Sequence, residues 1–189
     1  MLFWIFIGVQ TVLFVIMVKI MVLMSLAIFS EKHRRYPPFA PSFGKEKAVM
    51  QSIVRDILEK ADRPMTVIDP GCGIGTLLVK LARQFPRHNF VGIEWGFWVF
   101  AALRLRSWRL KNLRVVRNNM FDVDFKDADV IMCFLMTPLM APLADKILQE
   151  CKKGVIVVSN TYTLPKLKLE ETFKTRKKLF IQNVYMYKV

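Results

Sequence analysis

The sequence predicts an α/β fold: a doubly wound, Rossmann-like, mostly parallel sheet of seven strands, closed by a C-terminal antiparallel hairpin and preceded by one transmembrane helix. Three observations carry this reading. The first thirty residues are almost wholly apolar. Short apolar runs then alternate with segments of helical period. A glycine-rich turn, Gly71 to Gly75, directly follows the first of those runs.

Leu2 to Val18 contains only Gln10 and Thr11 as polar members, and after Lys19 the apolar pattern resumes from Ile20 to Phe29. About 20 such residues are needed to cross a hydrocarbon core, and Lys19 can snorkel toward its edge. The stretch has neither a basic segment ahead of it nor a small-residue cleavage site behind it, which argues against a cleaved signal. The basic run Glu31-Lys32-His33-Arg34-Arg35 follows at once. The positive-inside rule then puts the remainder of the chain on the cytoplasmic side of a membrane, the inner membrane in a bacterium. Tyr36-Pro37-Pro38-Phe39-Ala40-Pro41 reads as a stiff linker. The organisation expected is a span over 1–30, a basic, proline-rich linker over 31–44 and a single domain over 45–189.

Within that domain, Val49, Met50, Ile53, Val54, Ile57, Leu58 and Ala61 recur at helical spacing, with Ser42 ahead of them as an N-cap. Thr66–Asp69 is a short strand, and a helix from about Thr76 to Phe85 stops at Pro86. Phe90–Glu94 is the second strand, followed by a helix from about Gly96 to Leu110. Leu113–Arg117 and Val130–Phe134 are the next strands, Pro138–Lys152 a helix and Val155–Ser159 the fifth strand. Thr172–Ile181 and Asn183–Val189 are extended runs with only Gln182 between them, the expected hairpin.

Asp69-Pro70-Gly71-Cys72-Gly73-Ile74-Gly75 joins the first strand to the next helix. The chain must turn sharply there while its backbone approaches a ligand, which glycines permit. Ligands of open α/β sheets sit beyond the carboxyl ends of the strands, where strand order reverses. The spacing is G-x-G-x-G, not the dinucleotide fingerprint G-x-G-x-x-G. It resembles the first motif of class I S-adenosylmethionine-dependent methyltransferases. The resemblance implies S-adenosyl-L-methionine as cofactor, held by Asp69, Gly71, Cys72, Gly73 and Gly75. It gives Glu94, at the end of the second strand, the ribose hydroxyls, with Trp95 beside it. Asn119 would meet the edge of the adenine, and Met120 or Phe121 its face.

Further segments narrow the likeness: Phe39-Ala40-Pro41-Ser42, Trp108-Arg109, Phe134-Leu135 with Pro138, Leu143-Ala144-Asp145-Lys146-Ile147-Leu148, and Leu164-Pro165. With the apolar N-terminus they are similar to the membrane-anchored lysine methyltransferases of the ATP synthase c-subunit and the adenine nucleotide translocase, and to their prokaryotic relatives. That likeness implies methyl transfer to a membrane-associated acceptor, a protein lysine. The alternatives are a lipid, quinone or other small hydrophobic acceptor, or a membrane-anchored cofactor-binding protein without turnover. No Asn/Asp-Pro-Pro-aromatic loop follows the fourth strand, as it does in many enzymes that methylate base amino groups. Alignment of donor and acceptor, with water excluded, is the protein's task, and no general base is assigned. Asp122, Asp124 and Thr137 read as loop residues.

The chain carries +14, and one of its 29 basic residues and none of its 15 acidic ones lie in the first thirty, so the remainder carries +13. Such a balance attracts anionic partners. Arg104, Arg106, Arg109, Lys111, Arg114 and Arg117 form one basic cluster, and Lys166, Lys168, Lys174, Arg176, Lys177 and Lys178 another. Each is a solvated face, a contact with anionic lipid, or a nucleic-acid surface. No RNA-binding module is visible, which disfavours nucleic acid. Trp95, Phe97, Trp98 and Phe100 belong to the core, cover the cofactor or rest on a membrane surface. His33 and His88 read as solvated. Cys72, Cys133 and Cys151 have no ligand-like spacing, so neither a metal site nor a disulfide framework is expected.

Overall fold

The computed structural model describes residues 2–29, 45–176 and 181–189. The chain divides into two units, Met1–Ala40 and Pro41–Val189. The first holds helix α1, Leu2–Phe29. Side chains of α1 are described over 8–22, and all but Val18 of these fifteen residues are exposed. The transmembrane helix expected at 1–30 is not established: among the described residues no helix is long and apolar enough to cross a membrane. The basic run, the proline linker, Ser42 and the Phe39–Ser42 segment lie outside the described residues.

The second unit is built on a seven-stranded sheet in the order β3-β2-β1-β4-β5-β7-β6. The strands are β1 Thr66–Pro70, β2 Asn89–Ile93, β3 Leu113–Val116, β4 Val130–Cys133, β5 Ile156–Asn160, β6 Leu169–Arg176 and β7 Ile181–Lys188. The first five run parallel to one another, whereas β7 runs antiparallel to both β5 and β6. The helices are α2 Lys45–Glu59, α3 Leu78–Gln84, α4 Phe97–Ser107 and α5 Thr137–Glu150.

Alternation along the strands divides the core into two layers, because successive side chains of a strand point to opposite faces. Val67, Val130, Met132 and Val158 join Met50, Val54 and Leu58 of α2, Leu78 and Leu81 of α3 and Leu103 of α4 on one face. Ile68, Ile131, Cys133 and Val157 join Met140, Leu143 and Ile147 of α5 on the other. Each fully buried Leu or Ile contributes about 1.5–3 kcal/mol relative to exposure. The order reverses between β1 and β4, so the loops after these two strands flank the crevice where this class of sheet binds ligands.

Several boundaries differ from the sequence reading, three of them for a visible reason. Helix α3 starts at Leu78, because the glycine turn continues past Thr76. Gln182 lies inside β7, paired with Thr175, and the link between the hairpin strands falls at 177–180. Strand β6 begins at Leu169, with an irregularity between Leu169 and Glu171. His88, read as solvated, is buried, and its Nδ1 accepts the Met65 N–H at 3.0 Å.

Candidate active site

The turn after β1 is tied to the end of β2. The Gly71 and Cys72 N–H groups both donate to the Ile93 carbonyl, at 2.8 and 3.0 Å, and Gly75 N–H donates to Cys72 O at 3.0 Å. Gly71, Gly73 and Gly75 have φ of +78°, +57° and +65°, the left-handed region where a Cβ is strained. Glu94 follows β2 and turns toward this loop. Its Oε2 accepts the Gly73 N–H at 3.0 Å and its Oε1 the Gly96 N–H at 2.8 Å. A carboxylate has about four acceptor positions, so each oxygen can take a further donor.

Two of the glycines are also needed for packing. A Cβ at Gly71 would stand 2.7 Å from Leu135 Cδ2, and one at Gly75 would stand 2.3 Å from Leu103 Cδ1. The space beside these glycines is thus filled by the domain's own side chains. A ligand must approach the polar side of the bend, where Gly73 and Glu94 meet. Cys72 turns inward: its Sγ would lie 2.9 Å from a Cβ at Gly92. Burial, followed by the nearby Asp69 and Glu94, pushes its thiol well above the ordinary range.

Asp69 is the penultimate residue of β1, just before the turn. Burial, and then the charge of Glu94, push its carboxyl up to about 8. Near neutrality Asp69 is therefore largely protonated.

On the β3 side, Asn119 N-caps a 3-10 turn, Met120–Asp122, with its Oδ1 accepting the Phe121 N–H at 3.1 Å. Met120 and Phe121 are half-buried against the second core layer. The Phe121 carbonyl accepts from Lys146 Nζ of α5 at 3.1 Å, and the same ammonium pairs with Glu150 at 2.5 Å. Across the crevice, Phe134 after β4 stacks with Tyr162 after β5, with ring centroids 6.4 Å apart.

Residues 69–171 match the ANTKMT methyltransferase domain. The chain belongs to this family. It is an S-adenosylmethionine-dependent methyltransferase. A protein-lysine N-methyltransferase of Saccharolobus islandicus is 29% identical over 148 residues, 72% of this chain and 88% of the relative. The mouse adenine nucleotide translocase lysine N-methyltransferase is 29% identical over 106 residues, and the match covers 54% of this chain and 46% of that enzyme. Among solved structures, an RNA methyltransferase from Salinibacter ruber in complex with S-adenosyl-L-homocysteine shares the fold, with TM-score 0.64 at 19% identity over 79% of this chain and 94% of that one. TrmN from Thermus thermophilus does so with TM-score 0.59 at 18% identity, over 75% and 48%.

In the methyltransferase, Asp69, the glycine turn and Glu94 form one connected unit, and Asn119, Met120 and Phe121 form a second beyond β3. Trp95 is 43% exposed. Asp124 pairs with Lys126 at 2.9 Å on the surface, and Thr137 is exposed at the start of α5. Sequence reasoning did not identify Leu103 and Leu135 as the side chains that require glycine, nor Lys146 as the anchor of the loop after β3. Lys146 has one local signal, an acid four residues on at Glu150.

Proposed function

We propose that this methyltransferase modifies a lysine side chain of a membrane-associated protein, with α1 anchoring the catalytic domain on the cytoplasmic side. The observation that carries the acceptor class is that the two relatives above are both named for protein lysines. The membrane reading is supported by α1. Its 28 residues carry one charge, Lys19, and no acid. Ten of its large apolar side chains, from Val9 to Val22, are exposed around the whole helix. A helix apolar all round belongs in a core or a bilayer.

S-adenosylmethionine supplies a methyl group already activated by its sulfonium. In this proposal Glu94 accepts from the ribose hydroxyls while keeping Gly73 and Gly96 in place. Asp69, Gly71, Cys72, Gly73 and Gly75 shape the turn against the methionine part, with Cys72 contributing through its backbone. Asn119 meets the adenine edge, Met120 and Phe121 pack on its face, and Trp95 closes the ribose side. The acceptor amine must be neutral to attack; entry into a desolvated crevice near a cation lowers its proton affinity.

The test is methyl-labelled S-adenosylmethionine added, with the purified full chain, to membranes from a strain lacking the protein. The expected product is label in methyllysine of a membrane protein. Label confined to the lipid fraction overturns the acceptor class. Release of the chain from its native membranes by alkaline carbonate overturns the anchor.

A further inference from the structure

Helix α4 turns its large side chains the wrong way for a soluble protein. Only Leu103 and Ser107 are buried, while Phe97, Trp98, Leu105 and Trp108 are 50%, 73%, 75% and 68% exposed. Trp98 and Leu105 lie seven residues apart, two helical turns, and Phe97 and Trp108 lie eleven apart, three turns. At 100° per residue these are two adjacent stripes on one side of the helix. Phe97 and Trp98 pack edge to face at 5.0 Å.

The same segment is strongly basic. From Trp95 to Phe121 there is no acidic residue, and there are six basic ones: Arg104, Arg106, Arg109, Lys111, Arg114 and Arg117. Two guanidinium groups lie directly on the aromatic face, Arg109 at 4.5 Å from the Trp108 ring centre and Arg117 at 5.1 Å from that of Phe97. Trp and Phe beside arginines whose stems can snorkel are what the headgroup layer of a bilayer accommodates.

We propose that this face of α4 docks the catalytic domain on an anionic lipid surface. The partner class follows from charge complementarity and from the aliphatic and aromatic character together. A polyanion such as RNA would match the arginines and could stack on tryptophan, but it has no use for exposed Leu105. An acidic headgroup layer over acyl chains uses both. The patch starts one residue beyond Gly96, which Glu94 holds, so docking brings the cofactor crevice close to the membrane plane. The inference rests on the membrane reading of α1 for the bilayer at hand, but it concerns a different surface and is tested separately.

The experiment uses the full chain carrying Trp4→Phe, so that emission comes from Trp95, Trp98 and Trp108. The protein is mixed with phosphatidylcholine vesicles whose acyl chains are brominated, with or without phosphatidylserine. Flotation of the chain with the vesicles is scored in parallel. The expected result is blue-shifted, bromine-quenched emission with phosphatidylserine, reversed by high salt. The double variant Arg109→Ala, Arg117→Ala should lower the docked-to-undocked ratio by roughly 25-fold, about fivefold per charge. Trp98→Ala with Leu105→Ala should abolish the blue shift, with far-ultraviolet dichroism unchanged.

Unquenched emission on anionic vesicles overturns the proposal. Equal quenching on neutral vesicles overturns the role of the arginines. A response to single-stranded RNA with none to vesicles reassigns the face to nucleic acid. A chain that floats but is not quenched refutes this face and leaves the anchor standing. A chain that floats and is quenched only with phosphatidylserine supports this face and refutes the anchor, and a chain that floats with neither vesicle refutes both.

Discussion

Replacing Gly75 by alanine separates two reasons for a glycine that sequence cannot separate. At φ +65° an alanine pays the left-handed penalty, about 1–2 kcal/mol. Its Cβ would also sit 2.3 Å from Leu103 Cδ1 and 3.3 Å from Val79 Cγ2. Both neighbours are buried, at 0% and 2% exposure, so neither can swing into solvent. Overpacking of this kind costs about 1–3 kcal/mol, which brings the total for Gly75→Ala to about 2–5 kcal/mol. Gly154→Ala is the control. It has φ +91° and no atom within 4 Å of the added carbon, so only the backbone term, about 1–2 kcal/mol, applies. The assay is the urea midpoint of the two variants and the parent in one detergent, with unchanged slopes. Leu103→Val, which removes the clashing Cδ1, should recover part of the Gly75→Ala loss in a double-variant cycle. Equal losses for Gly75→Ala and Gly154→Ala, with no coupling to Leu103, would refute the packing argument and leave the dihedral angle as the sole reason for Gly75.

Glu94→Gln keeps the shape but places an amide nitrogen against either the Gly73 or the Gly96 N–H. S-adenosylmethionine affinity by calorimetry should fall about 10–100-fold, the cost of about 1.5–3 kcal/mol for a hydrogen bond to a charged group; an unchanged affinity refutes the ribose assignment. Asp69, pushed from 3.8 up to about 8 by burial and Glu94, binds its proton more tightly in the folded than in the unfolded state. Stability should therefore be highest near pH 4 and decline toward pH 8, by up to about 5 kcal/mol, and Asp69→Asn should flatten that decline in thermal melts across the range. Asp129 gives the opposite slope. Burial alone would raise its carboxyl, but Arg63 at 2.6 Å and Lys152 at 2.7 Å outweigh it and bring it down to about 2. The stability it confers is complete above pH 4 and lost as pH falls through 2. Asp129→Asn should lower stability at pH 7 by about 2 kcal/mol, a loss that vanishes in acid.

The parallel half of the fold was legible because its signals are local. Val67-Ile68, Val130 to Cys133 and Val157-Val158 are apolar on both faces, as strands covered by helices on two sides must be. The hairpin was found but misplaced. Strand β6 is an edge strand paired only with β7, and it begins Leu169-Glu170-Glu171-Thr172. Edge strands carry charge without loss of pairing, so hydrophobic pattern could not locate its start. The glycine turn was visible as a motif, yet what lies against it comes from residues 103 and 135, which only the tertiary fold brings there. His88 and Lys146 are buried polar residues with backbone partners distant in sequence, among them the Met65 N–H and the Phe121 carbonyl. No spacing rule reports such partners.

The site's economy lies in Glu94. Its carboxylate takes an N–H from the glycine turn and one from the residue that opens α4. Two such bonds hold the loop in its bent form, and hydroxyl donors would use acceptor positions still open. A site braced by its own backbone has little to order when it binds, which is how preorganisation gains affinity. Burial, and then the same charge, raises Asp69, so a cation entering beside it would favour loss of its proton. A ligand carrying both hydroxyls and a positive charge satisfies both residues at once, whereas a neutral nucleoside satisfies only the first. On this argument the turn discriminates by charge through Asp69 and by sugar through Glu94, and the two contributions separate only when each acid is replaced by its amide.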